Sequence, residues 1–257
     1  MHRLLVTTDI LNCDSVMLPR DAAHHLKVVR PKPGEIVELF DGAGRSRLYR
    51  CGDTVVAPLS VAGELSVVSP KAAQITLFAC VTKGSRWDWT IEKATELGVT
   101  RIVPVISDRG IVRIDRCERA AKRDRWQRIA EDAARQSDAK WLPEICEALD
   151  FTDALALVKS CVCFVGALTD PPPEPLLSAV QRRLHADAAS TSFGLFVGPE
   201  GDFTSKELKS LLEIAVPTSF GPTILRAETA AIFGLSVLVA ALDRRMCVAR
   251  LETGEQN

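Results

Sequence analysis

The chain has 257 residues, 47% of them hydrophobic and 25% charged, with a formal net charge of -1. This is the composition of an ordinary globular protein, and it excludes a collagen-like, low-complexity or charge-extended chain. Near-neutrality also removes any global attraction to polyanions, so a nucleic-acid interface would have to be local.

Residues 1–70 read as one unit. Asp21–Val29 has helical spacing and is stopped by Pro31 and Pro33. Glu35–Phe40 alternates, Asp41-Gly42-Ala43-Gly44 turns, and Arg45–Arg50 returns, which is a hairpin signal. Further short β-like runs are expected at Thr54–Leu59 and Glu64–Val68. The pattern predicts a small β-barrel-like domain with one helix, ending near Ser69-Pro70-Lys71.

Beyond Gln74 strands and helices alternate. Strands are expected at Ile75–Val81, Arg101–Ile106, Cys161–Leu168, Phe193–Val197 and Ala215–Phe220. Helices are expected at Trp87–Leu97, Glu118–Gln136, Asp153–Lys159, Pro175–His185, Ser205–Glu213 and Glu228–Arg245. Such alternation predicts an α/β domain over 71–257, with a mostly parallel sheet covered on both faces.

Between Arg101 and Arg128 nine Arg/Lys (Arg101, Arg109, Arg113, Arg116, Arg119, Lys122, Arg123, Arg125, Arg128) stand against four acids (Asp108, Asp115, Glu118, Asp124). A solvated helix laced with ion pairs is the first reading of that stretch, and a polyanion-binding face the second. The eight cysteines form no C-x-x-C pair and no Cys/His cluster with metal spacing, so buried free thiols and no metal are expected. The N-terminus lacks the apolar core of a signal peptide. The longest apolar run, Ala230–Leu242, is too short to span a bilayer, so a cytoplasmic protein without membrane contact is expected.

No G-x-G-x-x-G follows a strand, and neither a P-loop nor a G-x-S-x-G elbow occurs. The informative segment is Phe196-Val197-Gly198-Pro199-Glu200-Gly201-Asp202-Phe203-Thr204. An apolar strand there empties into a glycine-flanked turn, and Thr204 with Glu207 is spaced as a capping box for the helix that follows. A second such loop, Phe220-Gly221-Pro222-Thr223-Ile224-Leu225-Arg226-Ala227-Glu228-Thr229-Ala230, lies one short helix later. Loops at the carboxyl ends of parallel strands are where α/β sheets bind ligands, so the pair predicts one shared pocket. Asp170-Pro171-Pro172-Pro173-Glu174 is a stiff third candidate wall.

These two loops resemble those of the RsmE family, the 16S ribosomal RNA uridine N3-methyltransferases of the SPOUT superfamily. The resemblance extends in order along the chain. It takes in His24-His25-Leu26-Lys27-Val28-Val29-Arg30, Leu39-Phe40-Asp41-Gly42, Lys83-Gly84-Ser85-Arg86, Glu92–Val99, Arg125-Trp126 and Ala134-Arg135-Gln136-Ser137. It implies an N-terminal PUA-like β-barrel (1–70) that helps hold RNA. It further implies a C-terminal SPOUT domain (71–257) whose parallel sheet ends in a trefoil knot, a homodimer, and 16S rRNA of the small ribosomal subunit as substrate.

S-adenosylmethionine is the cofactor so implied. Its expected contacts are Leu168, Phe196, Gly198, Glu200, Gly201, Phe220, Gly221, Ile224, Leu225, Thr229 and Ala230. Arg226 and Glu228 are the expected catalytic pair, Arg226 steadying a uracil oxygen and Glu228 taking the proton or orienting Arg226. A structural Arg–Glu brace is the competing reading. Arg30, Lys83, Arg86 and Arg109 are the expected RNA contacts. Three departures stand out. Asp202 replaces the second glycine of the family's Gly-Gly-Phe-Ser, Thr223 replaces an arginine, and Asp138-Ala139 replaces Gly-Arg. The missing arginines favour, as the alternative function, a non-catalytic RNA-binding or ribosome-assembly protein on the same fold.

Overall fold

The computed structural model describes the backbone of residues 1–54, 57–158, 161–187 and 189–253, with side chains through residue 243. The chain separates into two compact units, Met1–Lys71 with Ala130–Leu142, and Ala72–Ile129 with Pro143–Asn257.

The first unit carries β1 (His2–Leu5), β2 (Ser15–Val16), helix α1 (Arg20–Val29), β3 (Ile36–Phe40), β4 (Arg45–Arg50), β5 (Leu59–Val61) and β6 (Ser66–Val67). The sheet order is β1-β3-β4-β5-β2, with β6 on β4. Only β1 and β3 run parallel; the other pairs are antiparallel. The expected run Thr54–Leu59 includes Val55 and Val56, which lie outside the described residues. A strand begins only at Leu59, after Pro58, which has no N–H to give a ladder. Leu4, Leu11, Leu26, Val37, Leu39, Tyr49 and Leu59 fill the core. The Tyr49 hydroxyl donates to the Cys13 carbonyl at 2.8 Å.

Residues 130–142 join this unit through specific bonds. Buried Arg3 donates to the Ala134 carbonyl at 2.7 Å and to the Ala139 carbonyl at 3.2 Å. It also pairs with buried Glu38 at 2.6 Å, and Lys140 reaches the other Glu38 oxygen at 2.8 Å. Trp141 and Leu142 pack onto the β3–β4 turn, where Gly42 and Gly44 have positive φ (68° and 90°). A Cβ on Gly42 would collide with the Leu142 side chain, and one on Gly44 with the Trp141 ring. The glycines therefore serve both the turn conformation and this close approach.

The second unit is the expected α/β alternation. It contains β7 (Gln74–Cys80), α2 (Ser85–Glu96), β8 (Arg101–Ile106), α3 (Arg119–Gln136, which continues into the segment from Ala130), β9 (Glu144–Ile145), β10 (Leu149–Asp150) and α4 (Phe151–Ala156). There follow β11 (Val162–Gly166), α5 (Leu176–Ala186), β12 (Ser192–Val197), α6 (Ser205–Leu212), β13 (Ala215–Thr218) and α7 (Ala227–Thr253). The strand order is β10-β8-β7-β12-β11-β13, with β9 on β8. Every pair is parallel. Strands covered on both faces need continuous apolar runs, which is why Phe193–Val197 carries no polar side chain. Phe78 and Phe196 stack at 4.4 Å between the two central strands. Gly98, at φ 75°, ends α2 as the sequence predicts.

The basic stretch resolves mainly into ion pairs. Arg125 grips Asp88 with two hydrogen bonds, Arg119 meets Asp150 at 2.7 Å, and Arg123 meets Asp124. No helix among the described residues is long and apolar enough to cross a membrane.

Candidate ligand pocket at the strand ends

Three neighbouring parallel strands, β12, β11 and β13, end side by side, and each opens into a loop on the same edge. The loops enclose a cavity of about 270 Å³ lined by Gly166–Leu168, Val197–Glu200, Asp202, Thr218–Gly221, Thr223–Ala227 and Ala230. It stands just below the usual size range of small-molecule sites.

Each wall has a local cause. Strand β11 stops at Gly166, where a Cβ would meet the Phe220 ring at 2.7 Å; the missing side chain lets Phe220 close the floor. Phe220 also packs on Phe233 of α7, with ring centroids 5.8 Å apart. Thr218 donates to the Val165 carbonyl at 3.1 Å, fixing the end of β13. After β12 the chain turns at Pro199–Asp202, with the Asp202 N–H donating to the Pro199 carbonyl at 2.9 Å. Asp202 adopts the left-handed conformation (φ 59°), and its Oδ1 accepts from the Phe203 N–H at 2.7 Å. Asp138 is also left-handed, at φ 58°. Both aspartates thus stand where the resembled family has glycine. Asp and Asn are the non-glycine residues that tolerate this conformation best, because their short polar side chains bond locally.

The expected capping box forms. Thr204 Oγ1 accepts from the Glu207 N–H, and the Glu207 carboxylate accepts from the Thr204 N–H at 2.8 Å. Glu207 also accepts from the Asp108 N–H at 2.9 Å, which ties the β8–α3 connection to this loop. Arg109 adds a bond of 3.1 Å to the Gly201 carbonyl.

Of the positions expected to hold a cofactor, Leu168, Gly198, Glu200, Phe220, Gly221, Ile224, Leu225 and Ala230 line the cavity. Phe196, Gly201 and Thr229 do not. Side chains of a strand alternate, so Val197 reaches the cavity and Phe196 is 1% exposed in the core. Gly201 turns its carbonyl toward Arg109. Ala227 and Ala230, three apart on α7, face the cavity, whereas Thr229 is exposed. Gly166, Ala167, Thr218 and Ser219 also line it, and sequence reasoning did not place them there. The signal for Gly166 was available: it ends its strand as Gly198 follows its own.

The expected catalytic residues sit together at the start of α7. Arg226 is exposed and lines the cavity. Glu228 is only 9% exposed, and its Oε2 has no hydrogen-bond partner among the described residues. A buried carboxylate oxygen left without a donor is costly and calls for an explanation. Two expected RNA contacts adjoin this region: Arg86 pairs with Glu200 at 3.2 Å, and Arg109 holds Gly201. Lys83 is exposed on the β7–α2 connection. Arg30 belongs to the first unit, as the left-handed cap of α1. Among the described residues no three His, Cys, Asp or Glu side chains converge as metal ligands.

Two apolar residues line the cavity while remaining open to solvent, Ile224 at 81% and Leu168 at 61% exposure. Together with Leu225 they offer faces to a flat aromatic ligand, while the glycine turns offer unobstructed backbone N–H and C=O groups to its edges.

Comparison with known proteins agrees with this geometry. Residues 69–239 match the family model of the RNA methyltransferase domain, and residues 18–50 match that of the RNA methyltransferase PUA domain. The ribosomal RNA small subunit methyltransferase E of Mycobacterium bovis is 30% identical, over 86% of this chain and 84% of its own. The Bacillus subtilis protein of the same name is 32% identical over 61% of either chain. Among solved structures, the ribosomal RNA small subunit methyltransferase E of Neisseria gonorrhoeae, bound to S-adenosyl methionine, superposes with a TM-score of 0.80. It is 27% identical, over 93% of this chain and 97% of that one.

Proposed function

The chain belongs to the RNA methyltransferase family, and from that premise we propose that it methylates N3 of a uridine in 16S ribosomal RNA, with S-adenosylmethionine as donor. The observation that carries this reading is the three-loop cavity with Arg226 on its wall and Glu228 buried beside it.

The cavity fits the cofactor by the chemistry of its lining. Leu168, Ile224 and Leu225 suit an adenine face, the turns at Gly198 and Gly221 suit its polar edges, and Glu200 and Asp202 suit positive charge. When bound, the cofactor supplies a methyl group made electrophilic by a sulfonium. The protein must make the nucleophile. Uridine N3 carries a proton at neutral pH, so its lone pair is unavailable until that proton leaves. Glu228, with one oxygen unsatisfied, is the acceptor for that proton. Arg226, exposed on the same turn, stabilises the negative charge that then spreads to a uracil oxygen.

Lys83, Arg86 and Arg109 serve as phosphate contacts near the pocket, and Arg30 serves the same end on the PUA domain. Binding through them would weaken steeply with salt. The protein acts in the cytoplasm as a homodimer, with residues 1–70 as the RNA-holding domain and 71–257 as the methyltransferase domain, its end knotted.

Mass-spectrometric mapping of small-subunit rRNA from a deletion strain tests the function. Loss of N3-methyluridine, restored by the wild-type gene, is expected. An unchanged profile sinks the proposal. Thr223 on the cavity wall, where the resembled family has arginine, favours a second reading, an assembly protein without catalysis. Such a protein would bind RNA but give no heat with S-adenosylmethionine in calorimetry.

A further inference from the structure

Asp202 has a charge that its local structure does not require. Its left-handed backbone and its bond to the Phe203 N–H account for a short polar side chain, and asparagine or glycine would serve the backbone as well. The helix that follows is already capped, with the Glu207 carboxylate in the box. Yet the residue is an aspartate, half-buried, and it lines the cavity.

The neighbouring charges leave it uncompensated. Arg86 is paired with Glu200. Arg109 spends a guanidinium bond on the Gly201 carbonyl. Arg226, the cation of the opposite loop, is exposed. Among the described residues no cation lies within 4.0 Å of the Asp202 carboxylate, although ion pairs are frequent elsewhere in this unit. On the wall of a cavity and half-buried, an unpaired carboxylate is placed to act on the charge of a bound ligand.

We infer that Asp202 is a specificity-determining residue that selects a cationic occupant over its neutral counterpart, so that the pocket prefers the sulfonium donor to the thioether left after transfer. This rests on the methyltransferase reading. The donor and the spent product differ by one methyl group and one positive charge. Apolar contacts and backbone hydrogen bonds scarcely distinguish them, whereas a fixed negative charge does. Placing it at Asp202 favours release of the product once the methyl group has gone.

Calorimetric titration of the full-length protein with S-adenosylmethionine and with S-adenosylhomocysteine tests this. Wild type is expected to bind the sulfonium about tenfold more tightly than the thioether, an advantage that shrinks as salt rises. Asp202→Asn keeps the left-handed turn and the acceptor for Phe203, and is expected to bring the two affinities within about twofold, through weaker sulfonium binding alone. Asp202→Gly should do the same, and its melting temperature guards against a folding artefact in either variant. A ratio unmoved by both substitutions, or an equal loss for both ligands, overturns the proposal. A wild-type protein that binds neither ligand overturns the cofactor reading itself, and the proposal with it.

Discussion

Among the described residues three glutamates are buried, and two of them, Glu38 and Glu228, are treated in opposite ways. Glu38, 4% exposed, has one oxygen on Arg3 at 2.6 Å and the other on Lys140 at 2.8 Å. Glu228, 9% exposed, keeps an oxygen with no donor among the described residues. Burying a carboxylate is expensive in either place. At Glu38 the cost is offset on the spot, by groups that bring residues 130–142 into the first unit. At Glu228 it is left open, next to a cavity. Burial alone therefore does not tell the two carboxyls apart; the account of hydrogen-bond partners does.

The largest expected effect breaks the contrast at its reactive end. Glu228→Gln keeps the shape and removes the proposed base, so turnover at saturating cofactor should fall about 10²- to 10⁴-fold. The melting temperature should hold, because the side chain keeps its size and the altered oxygen made no hydrogen bond. A variant with near-normal turnover would reassign Glu228 to bracing.

The opposite pattern is expected for Glu38→Ala. It removes the buried anion of Arg3 and leaves only the exposed Asp138 at 3.1 Å, a loss of about 3 kcal/mol on urea denaturation. Activity per folded molecule should survive at a temperature where the variant is still native.

A smaller effect sharpens the same comparison with acid. Burial pushes the Glu38 carboxyl up, but hydrogen bonds from Lys140, Ser46 and Arg3, with the Arg3 charge, outweigh it and hold the carboxyl below its ordinary 4.5. A depressed folded value means stability that is complete above the unfolded value and is lost as pH falls through the folded one. The wild-type stability curve should therefore slope downward below about pH 4.5, and Glu38→Gln should flatten part of that slope.

The smallest effect applies the logic to sulfur. The Cys163 thiol donates to Cys161 and, against burial and with help from Ser192, holds Cys161 down at about 7; giving that bond and burial push Cys163 up. Iodoacetamide at neutral pH should label Cys161 before its neighbour Cys163. Cys163→Ala should slow that labelling about tenfold, by returning Cys161 toward the ordinary thiol range. Equal rates in the two proteins would show that the two sulfurs do not communicate.

Much of this architecture was legible in the sequence. The alternation after Gln74 follows from apolar runs that only a doubly covered parallel sheet needs, and the Thr204–Glu207 spacing gave the start of α6. The two glycine-flanked loops were legible as one pocket because each follows a strand. Other features were not. Strand order, which brings β11 between β12 and β13, depends on long-range pairing and has no local signature. The allegiance of residues 130–142 rests on Arg3, Glu38 and Lys140, which lie far apart in sequence. The two-residue strands β9 and β10 are too short to show any period. Phe196 was misplaced for want of strand phase: one residue decides whether a side chain meets the core or the cavity.

The left-handed turn at residue 202 has a consequence for how such a pocket can change. Glycine, asparagine and aspartate are near-equivalents there for the backbone, yet they differ by a full unit of charge. A single codon step between glycine and aspartate thus resets the electrostatics of the wall while the scaffold stays as it was. Position 138 shares the left-handed backbone but not that freedom, because Asp138 pairs with Arg3 at 3.1 Å and Lys140 at 3.0 Å.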